Sequence, residues 1–311
     1  MIKRITITAL IVLSIIAGGA FLFFSNGSEN LQTLPDKPPQ RIVSLAPNIT
    51  EILFALGAGD KVIGVSNNSD YPERTERITK VGTFWKPDTE TVVSLAPDLV
   101  ITLWFQQQKQ TAQTLKTLGY DVLVLKIETV DDLFEAIKKI ADALGCSDTG
   151  KKLAADIKNK IDTLENKYRT DNPKKVLWVI QNEPIRTAGQ DTFINRLIEI
   201  AGGKNIVPPS LQKYPSLPTE ELLARSPEVI IHSAVTGIDI GKQRETVRKK
   251  WQEWKQIPAV RNERIYIINP DTVQRLGPRL PEGIKTIAGC LHNPETIEQK
   301  YRVFTNTDSD N

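Results

Sequence analysis

Residues 89–102 read TETVVSLAPDLVIT, and residues 219–232 read TEELLARSPEVIIH. Thr89/Thr219, Glu90/Glu220, Pro97/Pro227 and Ile101/Ile231 recur at the same offsets, and most other positions exchange one aliphatic or small residue for another. A chain that writes one short sentence twice, this far apart, is built from two similar units. In each copy the proline ends a short helix, because it has no N–H to donate into the helical ladder. An aliphatic strand follows at once.

The surroundings of each copy alternate in the same way. RIVSLA (41–46), KVIGVS (61–66), DLVITL (98–103) and DVLVLK (121–126) are strand-like runs, separated by the helical spacings of 48–58, 110–119 and 130–145. Asn48 followed by Glu51 reads as a capping box that starts the first of these helices. The alternation resumes with KVLWVI (175–180), EVIIHSA (228–234) and RIYIIN (264–269), between helical stretches at 192–202, around 242–255 and 281–291. Short apolar strands bounded by turns and separated by helices predict parallel sheets covered on both faces. Between the two halves, residues 148–169 are helical without interruption, with Leu153, Ile157, Ile161 and Leu164 on one face. The expected organisation is an α/β protein of two Rossmann-like lobes, 41–145 and 171–295, joined by a long rigid helix over 146–170, with a ligand cleft between the lobes. Residues 25–40 read as a proline-containing linker, and 296–311 as a loose polar tail.

The first residues set the compartment. Lys3 and Arg4 precede an uncharged, mainly apolar run from Ile5 to Phe24. That pattern is a signal peptide or a membrane anchor over residues 1–24, and it places the rest of the chain outside the cytoplasm. The run is just long enough to cross a bilayer, which favours a retained anchor. No Cys follows it, so a lipid-modified cysteine is not expected. Cys146 and Cys290 are the only cysteines and read as two free thiols.

Charge and motif content exclude several function classes. The net charge of +3 comes from mixed signs without a basic stripe, which argues against nucleic acid. Neither a dinucleotide fingerprint, nor a phosphate loop, nor a nucleophile elbow is present. Only His232 and His292 are available as imidazoles, too few for a metal site built on histidine. His232 reads as a structural histidine, and Trp178, Trp251 and Trp254 read as packing. The loops that follow strands carry Tyr71, Phe84, Trp85, Trp104 and Phe105 in the first half, and Tyr214, Asp271, Arg275 and Arg279 in the second. Ligands of open parallel sheets bind at the carboxyl ends of the strands, and so many loop aromatics predict a surface for a large flat or apolar ligand. Glu90 and Glu220 each fall in the first helical turn, where an acid gains ~0.3–1 kcal/mol from the helix dipole. Their matched places also offer two equivalent handles to a twofold-symmetric partner.

RIVSLAPNITEILFALGAGDKVIGVSNNSDYP, VGTFWKPDTETVVSLAPDLVI, TAGQDTFINRLIEIAGGKNI, LPTEELLARSPEVII and RLGPRLPEGIKTIAG, in this order, resemble the Fe-siderophore/cobalamin periplasmic-binding family. The resemblance covers about Arg41 to Leu291 and is nearest the cobalamin-binding branch. It implies a solute-binding protein of an ABC importer that binds its ligand without transforming it and keeps no cofactor or metal of its own. Carried onto this chain, it implies that Tyr71, Phe84, Trp85, Trp104, Tyr214, Asp271 and Arg275 bind the ligand. It implies that Glu90 and Glu220 pair with arginines of a dimeric permease, which works with its ATPase. The expected protein is a monomer at the outer face of the cytoplasmic membrane or in the periplasm. Cobalamin is the expected cargo. A ferric siderophore or haem is the alternative, favoured by Arg186, Arg275 and Arg279 and by the phenol of Tyr71. A metallochelatase-like enzyme on the same scaffold is the distant one.

Overall fold

The computed structural model describes residues 34–304, apart from 211, 236–237, 294–296 and 298–300. The apolar run 5–24 and the last seven residues lie outside the described residues. Among the described residues no helix is long and apolar enough to cross a membrane.

The first lobe is built from β1 (Ile42–Ser44), α1 (Pro47–Ala55), β2 (Val62–Val65), β3 (Thr79–Lys80), α2 (Thr89–Ser94), β4 (Leu99–Leu103), α3 (Gln106–Thr117), β5 (Val122–Leu125) and α4 (Val130–Ala143). Its sheet runs β3-β2-β1-β4-β5, and every pairing is parallel. The fully buried runs IVS and LVITL explain why: a strand covered by helices on both faces has no polar side to show water.

The linking helix α5 spans Ser147–Tyr168, with Ile157, Ile161 and Leu164 buried. These residues belong to one core that also contains Ile137 and Ile140 of α4 and apolar residues of the second lobe such as Leu197 and Ile287. The connector is therefore packed against both halves.

The second lobe contains β6 (Lys174–Asn182), β7 (Ile185–Thr187), α6 (Phe193–Ile200), β8 (Gly203–Asn205), α7 (Thr219–Arg225), β9 (Val229–Ser233), α8 (Ile240–Trp251), α9 (Pro258–Arg261), β10 (Ile265–Ile268), α10 (Pro270–Val273) and α11 (Leu280–His292). Its sheet runs β10-β9-β6-β7, with β8 on the first half of β6. Strand β7 runs antiparallel to β6, so this sheet is mixed where the sequence pattern predicts a parallel one. The cause is local: Glu183-Pro184 turns the chain straight back onto the end of β6, before any crossover helix can intervene.

Two further expectations are corrected. Asn48 and Glu51 form no capping box. Helix α1 begins earlier, with Pro47 in its first turn and no side-chain cap. Asn48 instead donates to the Leu276 carbonyl, and Glu51 is taken by Arg279, so both partners are drawn away to the second lobe. A capping box does exist at Thr129 and Asp132, at the start of α4. The end of the chain is also not wholly a loose tail. Arg302 bridges to Tyr266, the Val303 amide donates to the Ile265 carbonyl, and Val303 is buried. Apolar Val303 and Phe304 join the second-lobe core.

Candidate functional site between the lobes

The repeated sequence is repeated in space. In the first copy, α2 is followed beyond its cap by Ala96 with φ 44°, then by buried Pro97, and the Asp98 amide donates to the Arg41 carbonyl at 2.8 Å as β4 begins. In the second, α7 ends at Ser226 with φ 49°, buried Pro227 follows, and the Glu228 amide donates to the Lys175 carbonyl at 2.8 Å as β9 begins. The acids that follow the prolines are matched too. Asp98 accepts from the amides of Gln40 and Arg41, and Glu228 from the amide of Lys175. Strands β4 and β9 lie in separate sheets. Glu90 and Glu220 sit at equivalent points in the first turns of α2 and α7, both exposed. Neither has an ion-pair partner among the described residues.

The first-lobe rim is held from beneath by hydroxyls and one amide. Thr50 bonds Ser44 at 2.8 Å and Ser69 at 3.1 Å, Ser69 bonds Ser66 at 2.9 Å, and Lys80 donates to the Ser69 carbonyl, so the loop after β2 is folded onto the end of the sheet. Gln108 is buried. Its carbonyl oxygen accepts from the Leu103 amide at 2.8 Å, and its Nε2 donates to the carbonyls of Phe84 and Leu45 at 2.9 and 3.2 Å. One side chain thus ties the ends of β1 and β4 to the loop that bears Phe84. Sequence reasoning missed Gln108 because, inside QQQKQ, nothing distinguishes it from its solvated neighbours.

On this base stands an aromatic cluster. Phe84, Trp85 and Phe105 meet edge to face, with ring centroids 4.8, 5.4 and 6.1 Å apart. Trp85 is 62% exposed, Trp104 47%, Tyr71 46% and Phe105 40%. Phe84, Trp85 and Phe105 pack against one another while Trp85 and Phe105 leave much area in water, and such an apolar patch is the signature of a binding surface. The ammonium of Lys109 lies 3.5 Å from the Trp104 ring centroid. In the second lobe Tyr214 is 37% exposed, and its carbonyl accepts from Arg186 at 3.3 Å. Burial pushes the Tyr214 phenol up, so it stays neutral. The neighbouring Lys213 reaches across to Glu128 of the first lobe at 2.8 Å.

The last loop of the second lobe is dominated by charge pairing between the lobes. Arg275 contacts Asp271 of its own loop at 2.6 Å, Asp70 of the first lobe at 2.6 Å, and the Asn68 carbonyl at 3.2 Å. Arg279 donates from Nε and Nη2 to the two oxygens of Glu51 at 3.0 and 2.6 Å. Burial also acts on Asp70 and tends to raise it, but the hydrogen bond and charge of Arg275 outweigh this and hold the carboxyl below its ordinary range. For Glu51 burial prevails over Arg279 and Arg275, and its carboxyl is pushed up. Two guanidiniums here face three carboxylates. The loop therefore offers no surplus positive charge, and the case for an anionic chelate that rests on Arg275 and Arg279 is weakened.

The structure thus collects Phe84, Trp85, Phe105 and Trp104 on one rim, sets Tyr71 beside the interlobe ion pairs, and places Tyr214 on the opposite lobe. Two cavities lie elsewhere. One of about 300 Å³ sits beside α7, against Pro184, Pro218 and Trp254. One of about 540 Å³ lies along α5, against Phe134, Phe193 and Arg196. Neither is lined by a candidate ligand residue. Trp178 and Trp251 are buried in the core, as their sequence context predicts. His232 accepts a hydrogen bond from the Trp251 indole at 2.8 Å, and burial, reinforced by Lys250, pushes its imidazole down to about 3. It is a neutral structural group. Cys146 and Cys290 are free, as expected, and burial pushes both thiols up. Among the described residues no three His, Cys, Asp or Glu side chains come together as a metal site.

Residues 42–272 match the model of the periplasmic binding protein family. The chain belongs to that family. It is 30% identical over 280 residues to a vitamin B12-binding protein of Vibrio parahaemolyticus, covering 90% of this chain and 96% of that one. It is 31% identical over 279 residues to an uncharacterized ABC transporter substrate-binding lipoprotein of Bacillus subtilis, covering 88% of this chain and 86% of that one. Among solved structures it is similar to a periplasmic haem-binding protein of Roseiflexus, with a TM-score of 0.72, 27% identity, and 81% and 97% of the two chains covered. This periplasmic binding protein is accordingly a substrate-binding component of an ABC transporter, and it works outside the cytoplasm.

Proposed function

We propose that the protein captures a corrinoid of the cobalamin type between its lobes and delivers it to the dimeric permease of an ABC importer, where the ATPase drives release. The observation that carries the reading is the exposed cluster of Phe84, Trp85 and Phe105 with Trp104 beside it, standing on a rigid, hydrogen-bonded base. A broad ligand of mixed polarity gains affinity from apolar area laid on such rings, with a few polar groups to orient it. Tyr71 and Tyr214 meet the ligand from the two sides, and the Asp271–Arg275 pair, neutral as a unit, presents hydrogen-bonding atoms without demanding an anion. The vitamin B12-binding relative supports this cargo.

Glu90 and Glu220 are the handles for the permease. They are exposed, unpaired among the described residues, and placed on helices that repeat one geometry, as a symmetric partner requires. Residues 5–24 act as the membrane anchor, the carrier works as a monomer, and it keeps no resident cofactor. Haem or a ferric siderophore is the second reading, favoured by the haem-binding structural relative and by the half-exposed phenol of Tyr71.

Titration with cyanocobalamin tests the cargo. Tryptophan fluorescence should quench on addition and the melting temperature should rise, because a ligand that binds only the folded state stabilises it. If micromolar cyanocobalamin changes neither while haemin changes both, the corrinoid reading is wrong and the haem reading replaces it.

A further inference from the structure

The rim aromatics sit on loops, and the recognition of a flat ligand depends on how firmly their rings are oriented. For Tyr71 the orienting group comes from the other lobe. The guanidinium of Arg279 lies 4.0 Å from the centroid of the Tyr71 ring. Arg279 is not free to adjust, because its two nitrogens are engaged by both oxygens of Glu51 at 3.0 and 2.6 Å. A two-pronged contact fixes the plane of a guanidinium as well as its position. Glu51 is itself buried on α1, so its carboxylate is a fixed point of the first lobe.

The same loop is held at a second point. Arg275 grips Asp70 and the Asn68 carbonyl, and the Asn68 side chain accepts from the Phe84 amide at 3.0 Å. One path of contacts therefore runs from Glu51 through Arg279 to the ring of Tyr71, and another from Arg275 through Asn68 to the loop of Phe84. Both cross between the lobes.

We propose that Arg279, oriented by Glu51, is a positioning residue for ligand recognition, which holds the Tyr71 ring across the gap between the lobes in the attitude that meets the solute. The inference rests on the solute-binding role of Tyr71 proposed above. It assigns Arg279 a place behind the binding surface rather than on it, and it makes affinity depend on a contact that spans both lobes. A purely structural staple would lower stability and change affinity equally with and without the Tyr71 ring, and the dependence of affinity on Tyr71 separates the two.

The test is a double-mutant cycle. Dissociation constants for cyanocobalamin, with haemin in parallel, are measured for the wild type, Arg279→Lys, Tyr71→Leu and the double variant, together with melting temperatures. Lysine keeps the charge opposite Glu51 and loses the planar face. Arg279→Lys should weaken binding about tenfold when Tyr71 is present and less than twofold when it is Leu, with the same loss of melting temperature in both backgrounds. Equal losses of affinity in the two backgrounds, or none in the single variant, overturn the proposal. If the wild type binds neither probe, the cargo reading fails by itself, and the positioning is read from the ring directly. In protein carrying ring-13C tyrosine, the signal lost in Tyr71→Phe identifies Tyr71, and Arg279→Lys should shift it. An unmoved signal overturns the proposal.

Discussion

Arg279 of the second lobe donates two hydrogen bonds, of 3.0 and 2.6 Å, to Glu51 of the first, across 228 positions of sequence. The pair joins the lobes in addition to the α5 connector, so the two halves are tied at more than one place. Its energetic character is asymmetric. Taking both charges from water costs nearly what their attraction returns, but removing one partner leaves the other buried and uncompensated. Arg279→Ala should therefore cost about 3–5 kcal/mol, whereas Glu51→Leu with Arg279→Leu should cost clearly less than the single change. Urea unfolding at neutral pH measures both. A double variant at least as destabilised as the single one would show that Glu51 is not strained by losing its partner.

His232 gives a pH dependence of known sign. Its folded pKa is pushed down to about 3, while the unfolded chain has the ordinary value near ~6.5. Between these values the unfolded state binds a proton that the folded state refuses. The contribution is fully present above the unfolded value and is lost as pH falls, by about 1.4 kcal/mol per pH unit below ~6.5. His232→Gln keeps an acceptor for the Trp251 indole and removes the titration. Its stability should fall less steeply than the wild type's from pH 6.5 to 4.5, by roughly one proton's worth. Parallel slopes would mean that the imidazole titrates normally in the fold.

The two left-handed residues after the repeated helices are a source of strain that can be relieved. A left-handed backbone costs an L-residue roughly 1–2 kcal/mol, and glycine avoids this at some cost in unfolded-chain entropy. Ala96→Gly should stabilise the protein by about 0.5–1 kcal/mol. Ser226→Gly should gain less, because the Ser226 hydroxyl donates to the Leu223 carbonyl at 2.9 Å and that bond would be lost. The effects should add, since the sites lie in different lobes. Denaturant midpoints decide it, and a loss of stability in Ala96→Gly would contradict the reading.

Much of this architecture was legible before any coordinate. The repeated segment predicted twin helix–turn–strand units, and they recur down to the sign of φ at Ala96 and Ser226. The aromatic loops were legible because aromatics between a strand and a helix have no strand face to fill. Partner choice over long distance was not. Asn48 and Glu51 satisfy the local pattern of a helix cap, yet both are spent on the second lobe. Arg275 and Arg279 read as cations that favour an anionic chelate and are instead paired with carboxylates of the protein. A local pattern fixes what a residue can do nearby, and a buried carboxylate is claimed by whichever guanidinium the fold brings to it. Gln108 belongs to the same class, since its role exists only once β1, β4 and the Phe84 loop have met.

In the proposed function, Glu90 and Glu220 are two matched handles on a carrier whose binding surface lies elsewhere. Charge reversal at both handles, Glu90→Arg with Glu220→Arg, measured for cyanocobalamin affinity and for uptake through the permease in vesicles, tests it most directly. The account predicts that uptake is abolished while the dissociation constant stays within about twofold of the wild type's. Undiminished uptake, or a loss of affinity as large as the loss of uptake, would contradict it.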